Sequence, residues 1–265
     1  RLVCRGHRTT GSGGKRSAHP CGEEKYENKT LPPSGGLGQG LCPPMLELYA
    51  HPFSSYCWKV LIALYERDIP FEYRMLDGDH PENFPRLKEA WPVGKFPVLF
   101  IDGAPVIESS IIIETLDSSH FGSTAPKLIP EDAAAALHVR FMDRVFDNHV
   151  MGRMQVVVDD YIADGPTASG PRIDKAKGAL ETIYDWEESR LGADGWACGD
   201  RFTLADCAAA PSLFYADWVR EIGEARPKLK AYRARLLARP SVSRCVEDAR
   251  PYRGYFPPGA PIEIE

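Results

Sequence analysis

Hydrophobic and polar positions change their period part-way along the chain. After Met45, short apolar runs are separated by turn residues, which is typical of strands joined by short helices. The pair Asp102-Gly103 lies between two such runs and predicts a hairpin turn. The pattern predicts strands at residues 46–50, 71–76, 97–101 and 105–107, and helices at residues 54–66, in the polar stretch before Trp91, and at residues 108–120.

After Pro130, the apolar positions recur with the period of long helices. Thr203 and Asp206 stand three residues apart at the start of an apolar run, which is the spacing of a capping box. We therefore interpret Asp206 as a structural residue. The predicted helices cover residues 131–162, 172–191, 203–222, 227–237 and 241–249.

These two patterns predict an α/β N-terminal domain followed by an all-α C-terminal domain. The element order βαβαββα places the first domain at residues 45–122, with helices on both faces of its sheet. Its late antiparallel hairpin argues against a dinucleotide-binding fold. The helical domain is predicted at residues 130–257, and a C-terminal tail at residues 258–265.

The segment 1–44 differs in composition from the rest of the chain. It is rich in Gly, Ser, Pro and Thr, lacks apolar periodicity, and carries seven basic against three acidic residues. We interpret it as a disordered tail. Upstream translated sequence or an added remnant explains it better than a transit peptide, because no amphipathic helix pattern is present.

Net charge and cysteine usage exclude several classes of function. The net charge of -5 and the pI near 5.9 argue against nucleic acid or an anionic membrane as the main partner. The seven cysteines form no CxxC pair and no metal-ligand spacing, so neither a metal nor a disulfide framework is expected. No apolar run is long enough to span a bilayer. We expect a cytoplasmic protein with a small-molecule partner.

Two hydroxyls and a thiol fall at the start of the first predicted helix. Ser54, Ser55 and Cys57 follow a short strand directly. The unbonded amides and the positive end of a helix stabilise a nearby thiolate or carboxylate, and a hydroxyl there adds a hydrogen bond. The sequence therefore predicts a site for an anionic sulfur.

Four motifs in order resemble the cytosolic glutathione transferases, specifically the serine-type theta and zeta members. They are SSYCWKVLIAL, GKFPVL, VIESSIIIETL and GDRFTLADCAAAP, and the resemblance covers residues 45–257. It implies a thioredoxin-like first domain that binds glutathione as co-substrate. It also implies a helical second domain that forms most of the electrophile site, and a homodimer.

The resemblance implies a glutathione site built from two of these motifs. The peptide before Pro97 is expected to be cis, which turns the main chain of Phe96 toward glutathione as if the ligand were an added strand. Glu108 pairs with the α-amino group of the ligand, and Ser109 with its γ-glutamyl carboxylate. A simple helix cap is the alternative for these two residues. Lys95 either approaches a glutathione carboxylate or is a solvated surface lysine.

Ser54 is the expected activating residue, because serine-type relatives place the hydroxyl three residues before a Cys or small residue. Its hydroxyl would donate to the glutathione sulfur and lower the pKa of that thiol. Ser55 is the second choice. Cys57 is an alternative that would form a mixed disulfide with glutathione, and Tyr49 is a rival that would stabilise the thiolate with a phenol.

The electrophile site is expected in the helical domain and the tail, at Arg144, Met151, Tyr252 and Tyr255. The leading function is transfer of glutathione to small hydrophobic electrophiles. Glutathione-dependent cis-trans isomerisation is the second hypothesis, although Phe53 replaces the basic residue that precedes the zeta serines. A non-catalytic binding protein with the same fold is the third.

Overall fold

A computed structural model describes residues 44–119, 121 and 123–261 of this chain. The segment predicted to be disordered lies outside the described residues except for Pro44, and so does half of the predicted C-terminal tail, residues 262–265. The boundaries of the two predicted domains remain predictions.

A four-stranded sheet forms the centre of the first half. Its order is β2-β1-β3-β4, with β1 and β2 parallel and the other neighbours antiparallel. All five residues of β1 are buried, because this strand runs through the middle of the sheet. The strands are β1 Leu46–Ala50, β2 Glu72–Met75, β3 Val98–Ile101 and β4 Ala104–Ile107.

Three helices cover both faces of the sheet, as the sequence predicts. They are α1 Ser55–Glu66, α2 Asn83–Ala90 and α3 Ser109–Ser118. Helices α1 and α3 contact each other on one face. On the other face, Leu87 of α2 packs with Tyr49, Val98 and Phe100 in a smaller core.

The second half is entirely helical among its described residues. It contains α4 Ala133–Val145, a π-helical segment Phe146–Met151, α5 Gly152–Asp164, α6 Pro171–Arg190, α7 Leu204–Val219, α8 Pro227–Leu237, α9 Pro240–Ala249 and a 3-10 turn Arg250–Tyr255. The α/β layer followed by helices confirms the predicted fold class.

Helix α1 is buried almost all round, because α7 and α9 of the helical half contact it opposite the sheet. Every residue from Cys57 to Leu64 is buried. Even Lys59 is fully inaccessible. The first turn of α1, which carries the predicted site, therefore lies where the two halves meet.

Candidate functional site

Ser54 precedes α1 as its N-cap residue, and its side chain makes no capping hydrogen bond. The preceding loop is fixed from two sides. The Ser54 N–H donates to the His51 carbonyl at 3.0 Å, and the Tyr215 hydroxyl of α7 donates to the Phe53 carbonyl at 3.0 Å. The Trp58 ring N–H donates to the Pro52 carbonyl. The hydroxyl of Ser54 thus stands on a rigid loop without a helix-capping role.

Ser54 and Ser55 both line the main cleft, but the other two candidates for thiol activation do not. Cys57 is fully buried in the core, and burial raises the pKa of its thiol to about 12. Tyr49 is buried on the opposite face of the sheet, with its ring edge-on to Phe100 at 5.0 Å. A thiol held protonated in the core is a poor nucleophile at neutral pH.

The predicted glutathione residues converge on the same cleft. Lys95, Phe96 and Pro97 form one edge, and the Phe96–Pro97 peptide is cis, as the resemblance implies. Glu108 and Ser109 line the cleft beside them at the start of α3.

Glu108 has an unusual backbone conformation for a residue with a side chain. Its φ is +73°, in the left-handed region, and it occupies the N-cap position of α3 without a side-chain capping bond. Such a conformation costs about 1–3 kcal/mol and concentrates at functional sites. The Glu108 side chain therefore does not cap α3, which was the alternative for this residue.

The opposite wall of the cleft comes from the helical half and the C-terminal segment. The cleft has a volume of about 670 Å³, and its lining includes Trp91, Gly94, Arg144, Asp147, Asn148, Met154, Gln155, Val158, Ile162, Tyr215, Tyr255, Phe256 and Pro257. This wall combines polar side chains with apolar and aromatic ones.

Two residues expected at the electrophile site lie elsewhere. Met151 is buried in the core at the end of the π-helical segment, whereas Met154 reaches the cleft. Tyr252 lies beside the cleft and packs edge-on against His51 at 4.7 Å, whereas Tyr255 lines it. Of the four expected residues, Arg144 and Tyr255 are thus brought to the cleft.

A largely buried charge cluster reaches the wall of the cleft through Arg144 and Asp147, and the sequence analysis did not identify its ion pairs. The ammonium of Lys59 pairs with Asp143 at 2.5 Å and with Asp147 at 2.7 Å, and it donates to the Ser110 hydroxyl at 2.8 Å. Arg144 pairs with the same two carboxylates at 2.6 Å each. Burial raises the pKa of Asp147, and Lys59 opposes that shift.

This charge cluster joins α1 and α3 to the helical half. The sequence offers one signal of these ion pairs, which is a lone lysine within an apolar helix. A buried ammonium requires a carboxylate partner, so this lysine predicts that a carboxylate lies nearby in the fold. The partners themselves lie more than eighty residues away, so their identity was not readable from local pattern.

None of the described helices is long and apolar enough to cross a membrane. Within the described ranges, no three His, Cys, Asp or Glu side chains are grouped as they would be around a metal ion.

Two family models match the chain. The N-terminal domain of glutathione S-transferase matches residues 48–124, and the C-terminal domain of glutathione S-transferase matches residues 149–240. The chain belongs to the glutathione S-transferase family. The protein is accordingly a glutathione transferase enzyme.

Relatives of this transferase come from plants, animals and bacteria. Glutathione S-transferase 3 of Zea mays is 29% identical over 212 residues, which are 76% of this chain and 93% of that protein. A probable maleylacetoacetate isomerase of Caenorhabditis elegans is 27% identical over 175 residues, which are 64% of this chain and 78% of that protein.

A solved glutathione S-transferase of Methylobacterium radiotolerans, in complex with glutathione sulfonate, has a TM-score of 0.64 at 27% identity. It covers 83% of this chain, and 98% of its own chain is matched. The serine-type theta or zeta subclass stays a prediction.

Proposed function

We propose that this transferase conjugates glutathione to small hydrophobic electrophiles, with the Ser54 hydroxyl stabilising the thiolate. The observation that carries this proposal is the position of Ser54. Its hydroxyl lines the cleft at the N-terminus of α1, on a fixed loop, and makes no capping bond. A donor and a helix terminus at one point favour the anionic form of a bound thiol.

In this proposal, glutathione binds along the part of the cleft lined by residues 95–97, 108 and 109. The backbone of Phe96 pairs with the cysteinyl part of the ligand like a neighbouring strand. The amides at the start of α3 and the Ser109 hydroxyl receive the γ-glutamyl carboxylate, and Glu108 receives the amino group. Lys95, at the edge of the cleft, faces the glycyl carboxylate.

Replacing Ser54 tests the activating role. We expect Ser54→Ala to keep glutathione binding but to lose the ultraviolet thiolate absorbance of the bound ligand at neutral pH. Removal of one positioned donor typically lowers kcat by about 100-fold or more. Absorbance titration of the bound thiol and steady-state rates with one electrophile measure both effects.

Ser55→Ala is the matched control, because Ser55 lines the same cleft one residue further along. It should keep the thiolate, whereas Glu108→Ala and Ser109→Ala should weaken glutathione binding itself. Loss of the thiolate in Ser55→Ala alone would assign activation to Ser55. No thiolate in the unaltered protein would favour a binding protein without catalysis.

Glutathione-dependent isomerisation is the second candidate, and one comparison favours it. The Caenorhabditis elegans relative is named a probable maleylacetoacetate isomerase. In such a reaction the thiolate adds to a double bond and later leaves, so the same Ser54 is required. Turnover of a cis enone without net loss of glutathione distinguishes this activity from conjugation.

A homodimer and a cytoplasmic location complete the proposal, and both rest on family membership.

A further inference from the structure

The loop at residues 51–54 carries Ser54 into the cleft, and one of its main-chain groups is bonded by a side chain of the loop itself. The Phe53 N–H donates to Nδ1 of His51 at 3.1 Å. The carbonyls of residues 51–53 all accept hydrogen bonds as well. The His51 imidazole therefore completes the set of contacts that fixes the main chain before Ser54.

This contact requires an uncharged imidazole. A backbone N–H can only donate, so Nδ1 of His51 presents a lone pair and the ring proton lies on Nε2. Burial is the largest influence on the pKa of His51 and lowers it, while the Asp77 carboxylate opposes that shift. The ring is accordingly uncharged at neutral pH and accepts the hydrogen bond from Phe53.

The same ring contacts the C-terminal segment. Tyr252, in the 3-10 turn Arg250–Tyr255, lies edge-on to His51 with ring centroids 4.7 Å apart. His51 itself is not part of the described cleft lining, whereas Phe53 and Ser54 are. An effect of His51 on the chemistry must therefore pass through the main chain of the loop.

We propose that His51 is a positioning residue of this transferase, whose Nδ1 holds the Phe53 amide and thereby keeps the Ser54 hydroxyl directed at the glutathione sulfur. This assignment rests on the proposed activating role of Ser54. A hydrogen bond weakens steeply when its angle or distance departs from the favoured geometry. A loop that loses one restraint consequently presents the hydroxyl less often in the bonding position.

Two substitutions separate the acceptor atom of His51 from its ring. His51→Asn keeps an acceptor, because an asparagine oxygen bonds the main-chain N–H two residues further on in the same way. It removes the ring that packs against Tyr252. His51→Phe does the opposite, since it keeps a ring beside Tyr252 and has no acceptor. The assignment therefore requires that the first variant keep thiol activation and that the second impair it.

The first readout is the pKa of the bound glutathione thiol, followed by its ultraviolet thiolate absorbance against pH. We expect His51→Phe to raise this pKa by about one unit, which leaves about tenfold less thiolate at a pH below it. His51→Asn should stay within about threefold of the unaltered protein in thiolate content. KM for glutathione should change less than about twofold in both variants, because residues 95–97, 108 and 109 are unaltered.

The second readout is independent of glutathione and of catalysis. Hydrogen exchange of the Phe53 amide should be about tenfold faster in His51→Phe than in the unaltered protein, because the amide loses its acceptor. In His51→Asn it should remain slow. His138→Phe is the matched control for both readouts, because it makes the same change at an exposed position of α4 outside the cleft lining. It should leave the thiol pKa and the exchange rate unchanged.

The outcomes separate this assignment from the proposed function. Equal losses of thiolate in His51→Asn and His51→Phe would overturn the assignment, because the ring and not the acceptor would then matter. Faster exchange in His51→Phe with an unchanged thiol pKa would overturn it as well, while the activating role of Ser54 would stand. If Ser54→Ala keeps the thiolate, or the unaltered protein has none, the proposed function fails, and the assignment fails with it.

Discussion

Among single residues, the buried charged groups differ in whether they have a partner. Lys59 is fully buried and has two carboxylate partners. Glu187 of α6 is equally buried, yet neither of its oxygens has a hydrogen-bond partner among the described residues. Burial therefore raises the pKa of Glu187 to about 7, and Arg190 opposes that shift only in part.

Stability should depend on pH through Glu187. Its pKa is raised from 4.5 to about 7 on folding, so the folded protein retains a proton that the unfolded chain releases. Its contribution to the free energy of unfolding therefore falls as pH rises through this window, by about 3 kcal/mol in all. We expect Glu187→Gln to raise that free energy at pH 8 and to change it little near pH 4.5. Urea denaturation at both pH values measures the difference.

Glu89→Gln is the control, because Glu89 is an exposed carboxylate on α2. It should leave the free energy of unfolding nearly unchanged at both pH values. A gain in Glu187→Gln of equal size at both pH values would contradict a titration origin.

At the residue scale, the sequence located helix starts that line the cleft, and the roles of their residues stay predictions. Ser54, Glu108 and Ser109 stand at helix starts, which a sequence pattern reveals, and the structure brings them into one cleft. Sequence reasoning did not find the contacts of Lys59 and Tyr215, because their partners lie far away in the sequence. Such contacts depend on how the two halves pack, which no local pattern encodes.

Among the elements, α7 begins at a capping box built on one side chain, that of Asp206. The Asp206 carboxylate accepts four hydrogen bonds, from the Thr203 N–H at 2.8 Å, the Thr203 hydroxyl at 3.0 Å, the Ala197 N–H at 2.9 Å and the Tyr232 hydroxyl at 2.6 Å. The predicted capping box is present, and it also ties α7 to the preceding loop and to α8.

Asp206→Asn should destabilise the fold, because the amide offers one acceptor oxygen in place of two and leaves buried donors unpaired. We expect the free energy of unfolding to fall by about 2–4 kcal/mol. Thermal unfolding followed by circular dichroism measures this change. Asp200→Asn in the exposed loop before α7 is the control and should alter stability by less than about 0.5 kcal/mol. Equal effects of the two substitutions would show that the network is dispensable.

The π-helical segment explains why one predicted site residue was misplaced. The sequence predicts one regular helix over residues 131–162, in which Arg144 and Met151 share a face, seven residues apart. The π-helical turn at Phe146–Met151 widens the helix and shifts its phase. Met151 consequently turns into the core and Met154 into the cleft. Strands and helix caps have local sequence patterns and could be predicted. A π-helical turn has no comparable sequence pattern.

At the scale of the whole molecule, the C-terminal segment forms part of the cleft wall. Phe256 is buried, and its ring lies 5.1 Å from that of Trp218 and 6.1 Å from that of Tyr215. Tyr255 and Pro257 complete this wall.

Truncation before Pro251 should affect the two substrates differently. We expect KM for a hydrophobic electrophile to rise about tenfold, because an aromatic wall is lost, and KM for glutathione to change less than about twofold. Two-substrate kinetics separate the two constants. Tyr252→Ala alters the same 3-10 turn outside the cleft lining and should leave both constants near their original values. Unchanged kinetics with every electrophile would show that this segment is not part of the electrophile site.

The buried ion pairs of Lys59 also limit which helical half this first half can be joined to. The ammonium belongs to the first half of the gene, while Asp143 and Asp147 belong to the second. A recombination event that joined this first half to a helical half without those carboxylates would bury an uncompensated cation, at a cost of about 3–5 kcal/mol. The two halves of this chain therefore depend on each other through these ion pairs, even though each matches a separate family domain.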